Sequence, residues 1–165
     1  MPDDLSSSDQ YIKNQESAEK YISRFRKKTL GHYINGARTS TEGAKTFENI
    51  SPISGKILNE VALGTAEDID AASKAAKKAF PEWRDMTSSD RRKILHKIAD
   101  LIVARADEIA LTECVDTGQA FRFMSKAAIR GAENYRFFAD KILEANNGLS
   151  LPAKDHINYT VRTPI

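Results

Sequence analysis

The sequence predicts an α/β fold in which a short antiparallel strand segment precedes a series of helices. Three extended runs, residues 33–36, 46–50 and 56–61, are accompanied by the turn dipeptides Asn35-Gly36 and Ser54-Gly55. Such dipeptides beside extended runs favour hairpins. Beyond Thr65 the apolar residues recur every three or four positions instead, which is the period of an amphipathic helix.

The composition is that of one globular domain of average hydrophobicity. The 165 residues include 25 Lys and Arg and 23 Asp and Glu, so the net charge is +2, and 41% of the residues are hydrophobic. This apolar content excludes a wholly disordered chain. A charge so near zero gives no support to nucleic-acid binding, and every apolar run is far shorter than the roughly 18 residues of a membrane span.

The N-terminal part divides into a polar tail and a basic segment. Residues 1–10 are polar and acidic, without a targeting signal, and we expect them to be disordered. Apolar residues then recur at helical spacing among basic ones: Tyr11, Ala18, Ile22 and Phe25. This pattern predicts an amphipathic helix, either a solvated extension packed on the body or an element that docks on a membrane surface or a partner.

Polar caps and breakers delimit the later helices. Thr65 and Asp68 have the spacing of a capping box, and the helix that they begin is predicted to end at Pro81. Thr87 begins a second helix, and Gly118 ends a third. A last long helix ends at Asn146-Asn147-Gly148, and we expect its apolar stripe to be core: Phe121, Met124, Ala128, Gly131, Tyr135, Phe138 and Ile142.

The C-terminal residues 158–162 alternate like a strand. No further segment follows to pair with this strand, so we expect an incomplete structural unit.

The ordered motifs resemble a known family. They are Tyr33-Ile34-Asn35-Gly36, Ser51-Pro52-Ile53-Ser54-Gly55-Lys56-Ile57, Ala66-Glu67-Asp68-Ile69, Ala79-Phe80-Pro81-Glu82-Trp83, Arg91-Arg92-Lys93-Ile94-Leu95 and Asp116-Thr117-Gly118-Gln119. The series resembles the N-terminal third of the aldehyde dehydrogenase superfamily, from about Leu30 to Ile165. The chain departs from the family pattern at Ser51-Pro52, where Asn-Pro is usual, and at Gln119-Ala120, where Lys-Pro is usual.

The resemblance implies a partial aldehyde dehydrogenase fold. Residues 1–30 would be the tail and basic helix, and residues 31–150 the hairpin segment and helices of a discontinuous, Rossmann-like NAD(P)-binding domain. Residues 151–165 would begin the oligomerisation arm of a homo-oligomer. The family oxidises an aldehyde to a carboxylic acid through a cysteine nucleophile, with NAD or NADP as hydride acceptor.

The same resemblance implies that the 165-residue chain is an N-terminal fragment and is inactive alone. The family's nucleophile, its general base and its nucleotide-binding lysine all correspond to positions beyond Ile165, so no catalytic or cofactor-binding residue is assigned. Cys114, the sole cysteine, lies in a helical pattern beside acids that raise a thiol pKa, and we expect a structural residue. Without a disulfide partner it indicates a reducing, cytoplasmic setting.

The resemblance also suggests a metal site. Some members of the family bind a monovalent cation through an aspartate of the Asp-Thr-Gly segment and backbone carbonyls just before the Asn-Pro turn. The corresponding residues are Asp116, Asn49 and Ile50. The alternative is that Asp116 forms a hydrogen bond within the turn at Gly118.

Arg130 is the candidate substrate-binding residue. The segment Ala128-Ile129-Arg130-Gly131 and Asn158-Tyr159-Thr160 resemble the muconic-semialdehyde dehydrogenase branch, with Ala128-Ile129 in place of its Ile-Pro. In that branch the arginine meets a substrate carboxylate, which suits the planar guanidinium. The alternatives are an ion pair with Glu133 along the helix or a surface position.

A second function from another class is open at this point. A naturally short, non-catalytic chain could dock on a full-length aldehyde dehydrogenase subunit through its helical surfaces and the strand near Val161.

Overall fold

The structure is a computed structural model that describes residues 9–26, 29–39, 43–145, 148, 150–151 and 154–163. Within these residues the chain forms five α-helices, one short 3₁₀ helix and three two-stranded antiparallel sheets. The predicted α/β class is confirmed. Most of the predicted disordered tail, residues 1–8, lies outside the described residues.

The basic N-terminal helix is confirmed as α1, Asp9–Arg26. The disorder predicted for residues 9 and 10 is wrong, because both belong to the first turn of this helix. Ala18 and Ile22 are buried, and α1 packs on a later helix, α4 (Ala106–Thr117), and on a strand, β4 (Ile57–Ala62). Burial of this apolar stripe stabilises the helix more than its intrinsic propensity does.

Two hairpins follow α1. Strands β1 (His32–Ile34) and β2 (Ala37–Thr39) are joined by Asn35 and Gly36, whose φ values of 53° and 76° are those of the tight turn that such pairs favour. Strand β3 (Thr46–Ile50) pairs with β4, with a register irregularity at Asn49 and Ile50. The antiparallel segment predicted from the sequence is therefore confirmed.

The turn between β3 and β4 is organised by Ser51, which is 4% exposed. Its hydroxyl oxygen accepts hydrogen bonds from the backbone N–H groups of Ile53 and Ser54 at 3.3 and 3.4 Å. Asparagine and serine both form this kind of local side-chain turn. Serine thus supplies at this position the acceptor that an Asn-Pro turn would take from asparagine.

Helix α2 runs from Ala66 to Asp85, so the prediction that it ends at Pro81 is wrong. Proline removes one backbone hydrogen bond, and the carbonyl freed at Lys77 lies on an exposed helix. Beyond the proline, Arg91 secures the last turn: its Nη2 donates to the carbonyls of Trp83 and Arg84 at 2.9 and 3.1 Å. These bonds satisfy acceptors that a helix end leaves unpaired.

The predicted capping signals are confirmed at the other helix ends. At the start of α2, the Thr65 N–H donates to Asp68 Oδ2 at 2.9 Å and the Asp68 N–H donates to Thr65 Oγ1 at 3.3 Å. Thr87 caps α3 (Ser88–Ala104) through one such bond, which its hydroxyl oxygen accepts from the Asp90 N–H at 3.1 Å. Helix α4 ends at Gly118, whose φ of 76° is left-handed.

Helix α5 (Phe121–Lys141) packs along both α3 and α4 and continues as the 3₁₀ turn Ile142–Glu144. The predicted end of this helix at Asn146 and Asn147 lies outside the described residues. Arg92 and His96 of α3 both contact the Asp140 carboxylate of α5, at 2.8 and 3.0 Å. These contacts join α3 to the C-terminal end of α5.

The expected core stripe of α5 is only partly correct. Met124 and Ala128 are buried, whereas Tyr135 is 41% and Phe138 is 63% exposed. Tyr135 and Phe138 lie between Ala132 and Ala139 in the sequence, and both of these alanines are fully buried. The small residues of α5 therefore face α3 and α4, and the aromatic rings lie outside this interface between helices.

The C-terminal strand is shorter than predicted and has a partner. Strand β6 spans only Asn158–Tyr159 and pairs with β5, Ser150–Leu151. The expectation of an unpaired terminal strand is therefore wrong for these two residues, because an earlier segment folds back on them.

The carboxylate of Glu108 joins α1 to α4 through ion pairs. Glu108 of α4 pairs with Arg24 of α1 and with Arg105, whose two nitrogens each lie 2.8 Å from it. The Glu108 side chain is only 14% exposed. The hydrogen bonds from Arg105, supported by Arg24, lower the pKa of Glu108 from 4.5 to about 2.

We predict that Glu108 makes folding stability dependent on acid. Because its pKa is lowered on folding, its contribution is complete above about pH 4.5 and is lost as the pH falls toward 2. Glu108→Gln should reduce the free energy of unfolding at pH 7 by about 1 kcal/mol, since both arginines are half exposed. Urea unfolding across this pH range measures the difference, which should vanish at the acid end.

Glu113→Gln, which changes an exposed carboxylate of the same helix, is the matched control and should leave the curve unchanged. A pH-independent difference between Glu108→Gln and the parent chain would contradict the predicted role of the carboxylate.

Candidate functional site

The structure brings two of the predicted metal ligands together. Asn49 lies near the end of β3 and Asp116 in the last turn of α4, and Asn49 Nδ2 donates to Asp116 Oδ1 at 2.7 Å. Ile50, the third predicted ligand, follows directly and its side chain is half exposed. The Gly118 turn is closed by its own N–H, which donates to the Cys114 carbonyl at 3.0 Å. The Asp116 carboxylate therefore does not close this turn, and its hydrogen bond is with Asn49 of β3.

A cavity of about 280 Å³ lies beside this contact, among α1, the β3–β4 hairpin and α4. Its polar lining includes five side chains: Arg26, Asn49, Asn59, Thr112 and Asp116. The α1 residues Ile22 and Phe25 contribute apolar surface. Among the side chains that line this cavity, Asp116 is the only acid.

Sequence reasoning missed Asn59 and Thr112. Asn59 Oδ1 and Thr112 Oγ1 are both buried and have no hydrogen-bond partner within the described part of the chain. Two patterns point to them: Asn59 is the register partner of Asn49 across the hairpin, and Thr112 precedes Asp116 by one helical turn. Residues so related share one face of a sheet or of a helix.

The oxygens of Asn59, Thr112 and Asp116 are of the kind that hard cations bind in proteins. Carboxylate, amide and hydroxyl oxygens suit such ions, while imidazole and thiolate ligands select transition metals. Within the described ranges, no group of three or more His, Cys, Asp or Glu side chains could hold a metal ion. Asn59 Oδ1 and Thr112 Oγ1 therefore lie without a described partner beside the one carboxylate of this cavity.

Cys114 has the character expected of a structural residue. Its side chain is partly buried within α4, and burial is the main cause that raises the pKa of the thiol, with the charge of Glu113 second. The sequence pointed to neighbouring acids as the cause, but desolvation is the larger one. A thiol held protonated near neutral pH is a poor nucleophile.

Arg130 lies exposed on α5 and forms no hydrogen bond or ion pair with any residue that the structure describes. The alternative pairing with Glu133 is absent from these contacts. By comparison, Arg136 on the same helix pairs with Asp100 at 2.8 Å. The Arg130 guanidinium therefore has no partner among the described residues, and a substrate carboxylate requires such a free guanidinium.

Four of the five described α-helices have N-termini that disfavour the phosphates of a nucleotide. Four of the five α-helices carry acidic residues in their first turn: Asp9 in α1, Glu67 and Asp68 in α2, Asp90 in α3, and Asp107 and Glu108 in α4. Carboxylates at a helix N-terminus use the backbone N–H groups and the positive dipole end that would bind an anion. We therefore assign no cofactor-binding residue.

Comparison with known proteins identifies the family. The pattern described as the aldehyde dehydrogenase family matches residues 38–165. The chain is 38% identical to 2-hydroxymuconic semialdehyde dehydrogenase of Pseudomonas sp. (strain CF600) over 143 residues, which are 83% of this chain and 29% of that protein. It is 38% identical to 2-aminomuconic semialdehyde dehydrogenase of Danio rerio over 140 residues, 82% of this chain and 28% of that protein.

Solved structures agree with the sequence comparison. The NAD⁺ complex of the aldehyde dehydrogenase from Bacillus cereus superposes with a TM-score of 0.75 at 34% identity, covering 84% of this chain and 29% of that one. The chain belongs to the aldehyde dehydrogenase family, an oxidoreductase family. It spans less than a third of the length of these relatives and corresponds to the N-terminal part of their fold. None of the described helices has the length and apolarity needed to cross a membrane.

We predict that Gly118 is required for the geometry at the end of α4. A Cβ at this residue would combine the strained φ of 76° with a 3.1 Å approach to Pro52 Cγ. Gly118→Ala should therefore lower the free energy of unfolding by more than the roughly 1–2 kcal/mol that a left-handed backbone costs alanine. Urea denaturation measures the loss.

Gly36→Ala is the matched control, because its φ is also 76° but no described atom lies within 4 Å of the added methyl group. Equal losses in the two variants would contradict a role for the Pro52 contact.

Proposed function

We propose that this chain is the N-terminal part of an NAD(P)-dependent dehydrogenase that oxidises a carboxylated semialdehyde to the carboxylic acid. The observation that carries the proposal is the match over residues 38–165, together with 38% identity to two relatives named for muconic semialdehydes. The NAD⁺ complex of a related structure supports the nicotinamide cofactor. Bound cofactor would supply the hydride acceptor.

Arg130 would recognise the carboxylate of that substrate. Its guanidinium is exposed and forms no hydrogen bond or ion pair with the described residues, whereas Arg136 on the same helix is paired with Asp100. A guanidinium can bind a carboxylate through two parallel hydrogen bonds, which gives both affinity and orientation. The muconic names of the relatives support a substrate that carries such a group.

Asp116 would hold a monovalent cation, with the backbone carbonyls of Asn49 and Ile50. The 2.7 Å contact from Asn49 to Asp116 supports the juxtaposition of β3 and α4 that such a site requires. The cation would have a structural role, since it would join the β3 hairpin to the end of α4.

The 165-residue chain alone would be inactive, because its sole cysteine, Cys114, is a poor nucleophile. The division into residues 31–150, within the cofactor domain, and residues 151–165, within an oligomerisation arm, is part of the same proposal. So are a homo-oligomeric state and a cytoplasmic location.

A second candidate function rests on the C-terminal segment. Ile157, Tyr159 and Val161 alternate along the chain and are 84%, 67% and 59% exposed. An exposed apolar row beside a strand edge can add to the sheet of another chain. A non-catalytic role, docking on a full-length dehydrogenase subunit, would use this row, as would assembly of the complete enzyme.

We predict that Arg130→Ala in a complete homologous enzyme selectively impairs carboxylated aldehydes. Loss of a charged hydrogen-bonding partner should reduce kcat/KM for a carboxylated semialdehyde about 10- to 100-fold and leave a neutral aldehyde nearly unchanged. Steady-state kinetics with the two substrates measures the ratio. Arg122→Ala, another exposed arginine of α5, is the control, and equal losses for both aldehydes would refute the assignment.

We also predict that the purified 165-residue chain produces no NADH or NADPH from any aldehyde. Absorbance of the reduced cofactor, followed with carboxylated and neutral aldehydes, is the measurement. Turnover that survives Cys114→Ser would show a nucleophile elsewhere in the chain, and turnover abolished by it would show that this cysteine is reactive. Either result would contradict the proposal that the 165-residue chain alone is inactive.

A further inference from the structure

A second cavity, of about 450 Å³, lies at the C-terminal end of α1 and is lined by three arginines from separate parts of the chain. Arg24 belongs to the last turn of α1, Arg38 to β2, and Arg105 lies between α3 and α4. None of the described residues that line this cavity is acidic. Like charges gathered around one cavity create a positive potential that attracts anions.

The charge of Arg38 is unpaired within the described part of the chain. The residue is exposed, and its side chain forms no hydrogen bond or ion pair with any described residue. Its register partner across the hairpin is Tyr33, which is neutral. An acid at that cross-strand position could have paired with the arginine. The Arg38 guanidinium is therefore free to bind a ligand.

The other two arginines share the carboxylate of Glu108. This carboxylate accepts hydrogen bonds from Arg105 Nε and Nη2 at 2.8 Å each, and from Arg24 Nη2. A guanidinium has five N–H donors, so both arginines retain donors that no described residue uses. Three arginines and one carboxylate leave this cluster with a net charge of +2.

Apolar and hydroxyl groups complete the wall of the cavity. Phe25 and Leu30 line it, together with the exposed Thr29. The Arg24 guanidinium lies over the Phe25 ring, 4.6 Å from its centroid. The volume of this cavity falls within the roughly 300–1,000 Å³ that is typical of small-ligand sites. The cavity therefore has room for a small organic anion as well as for a free ion.

The charge and the donors of this cluster suit a phosphate group. A phosphate monoester carries nearly two negative charges at neutral pH, which matches the net charge of the cluster. The guanidinium fork fits the oxygens of phosphate through two parallel hydrogen bonds. Arginine clusters are also a recurrent means by which proteins recognise phosphorylated ligands.

We propose that Arg24, Arg38 and Arg105 form a binding site for a phosphate group, either as the free ion or as part of a small organic molecule. The site is independent of the dehydrogenase activity proposed above. It depends on α1, since Arg24 precedes residue 38, where the family match begins. A bound phosphate would join the end of α1 to β2 and to the start of α4, and would thereby stabilise the docked helix.

Isothermal titration calorimetry of the 165-residue chain with inorganic phosphate, in sodium chloride at constant ionic strength, tests this proposal. We expect one phosphate to bind with a Kd of roughly 1 mM or tighter. Arg38→Ala should weaken binding about tenfold, because a charged hydrogen-bonding partner is lost. Arg122→Ala, which removes an exposed arginine of α5, is the matched control and should leave the Kd unchanged. Circular dichroism confirms that each variant is folded.

Two results would overturn the phosphate site. One is the absence of measurable phosphate binding by the parent chain. The other is the same Kd for the parent chain and for Arg38→Ala, since binding would then not involve this cavity.

Glu108→Gln tests whether Arg24 and Arg105 bind the ligand or only pair with their carboxylate. The substitution frees both guanidiniums, so phosphate should bind about fivefold tighter, although we expect the same variant to unfold more easily. A purely structural role of the two arginines predicts no gain in affinity. Unchanged or weaker phosphate binding in Glu108→Gln would contradict their assignment as ligands.

Titration with phenyl phosphate distinguishes the two sources of the phosphate group. A lower Kd than that of inorganic phosphate would show that Phe25 and Leu30 contact the ring, and would support an organic phosphate as the ligand. Equal Kd values would support the free ion. Binding of phenyl phosphate that is unchanged by Arg38→Ala would overturn recognition of the phosphate group at this site.

Discussion

Close packing of α5 against α3 and α4 through alanine is the interaction on which the helical body depends. Ala99 of α3, Ala110 of α4 and Ala132 and Ala139 of α5 are at most 1% exposed. In the part of the chain that the structure describes, no large side chain is buried to that degree. Small residues allow helix backbones to approach closely, so the seam gains its stability from backbone proximity and from many short contacts.

Because small residues fill the interface between α5 and its neighbouring helices, the large apolar side chains of α5 remain exposed to solvent. Phe123, Phe137 and Phe138 of α5 are 54%, 57% and 63% exposed. The rings of Phe137 and Phe138 contact each other edge to face, with centroids 5.3 Å apart, and exposed apolar patches usually mark a contact with another part of a protein. Under the proposed function, this face of α5 would contact the part of the dehydrogenase that lies outside the 165 residues.

The features that the sequence could predict are those that depend on residues close to one another in the chain. The caps at Thr65 and Thr87, the left-handed Gly118 and the Asn35-Gly36 turn each depend on residues within a few positions, and all of them were predictable. Beyond Pro81, the last turn of α2 receives hydrogen bonds from Arg91 of the next helix, a contact that the local sequence around Pro81 does not reveal. The exposure of Phe138 likewise depends on which face of α5 meets its neighbours, and helical spacing does not determine that face.

The same distinction applies to the candidate site. The family resemblance proposed Asp116 and Asn49 as candidates, but Asn59 and Thr112 emerge only when the β3–β4 register and the position of α4 are known. The pKa of Glu108 also depends on an arginine 84 positions away in the sequence. Contacts between distant segments require the fold.

The intact mass of the polypeptide in its native cells, recovered with an antibody against residues 31–150, tests the central claim most directly. If the chain is the N-terminal part of an aldehyde dehydrogenase, the recovered mass will lie far above 18.4 kDa. A mass near 18.4 kDa would contradict that account and favour the non-catalytic chain that docks on another subunit.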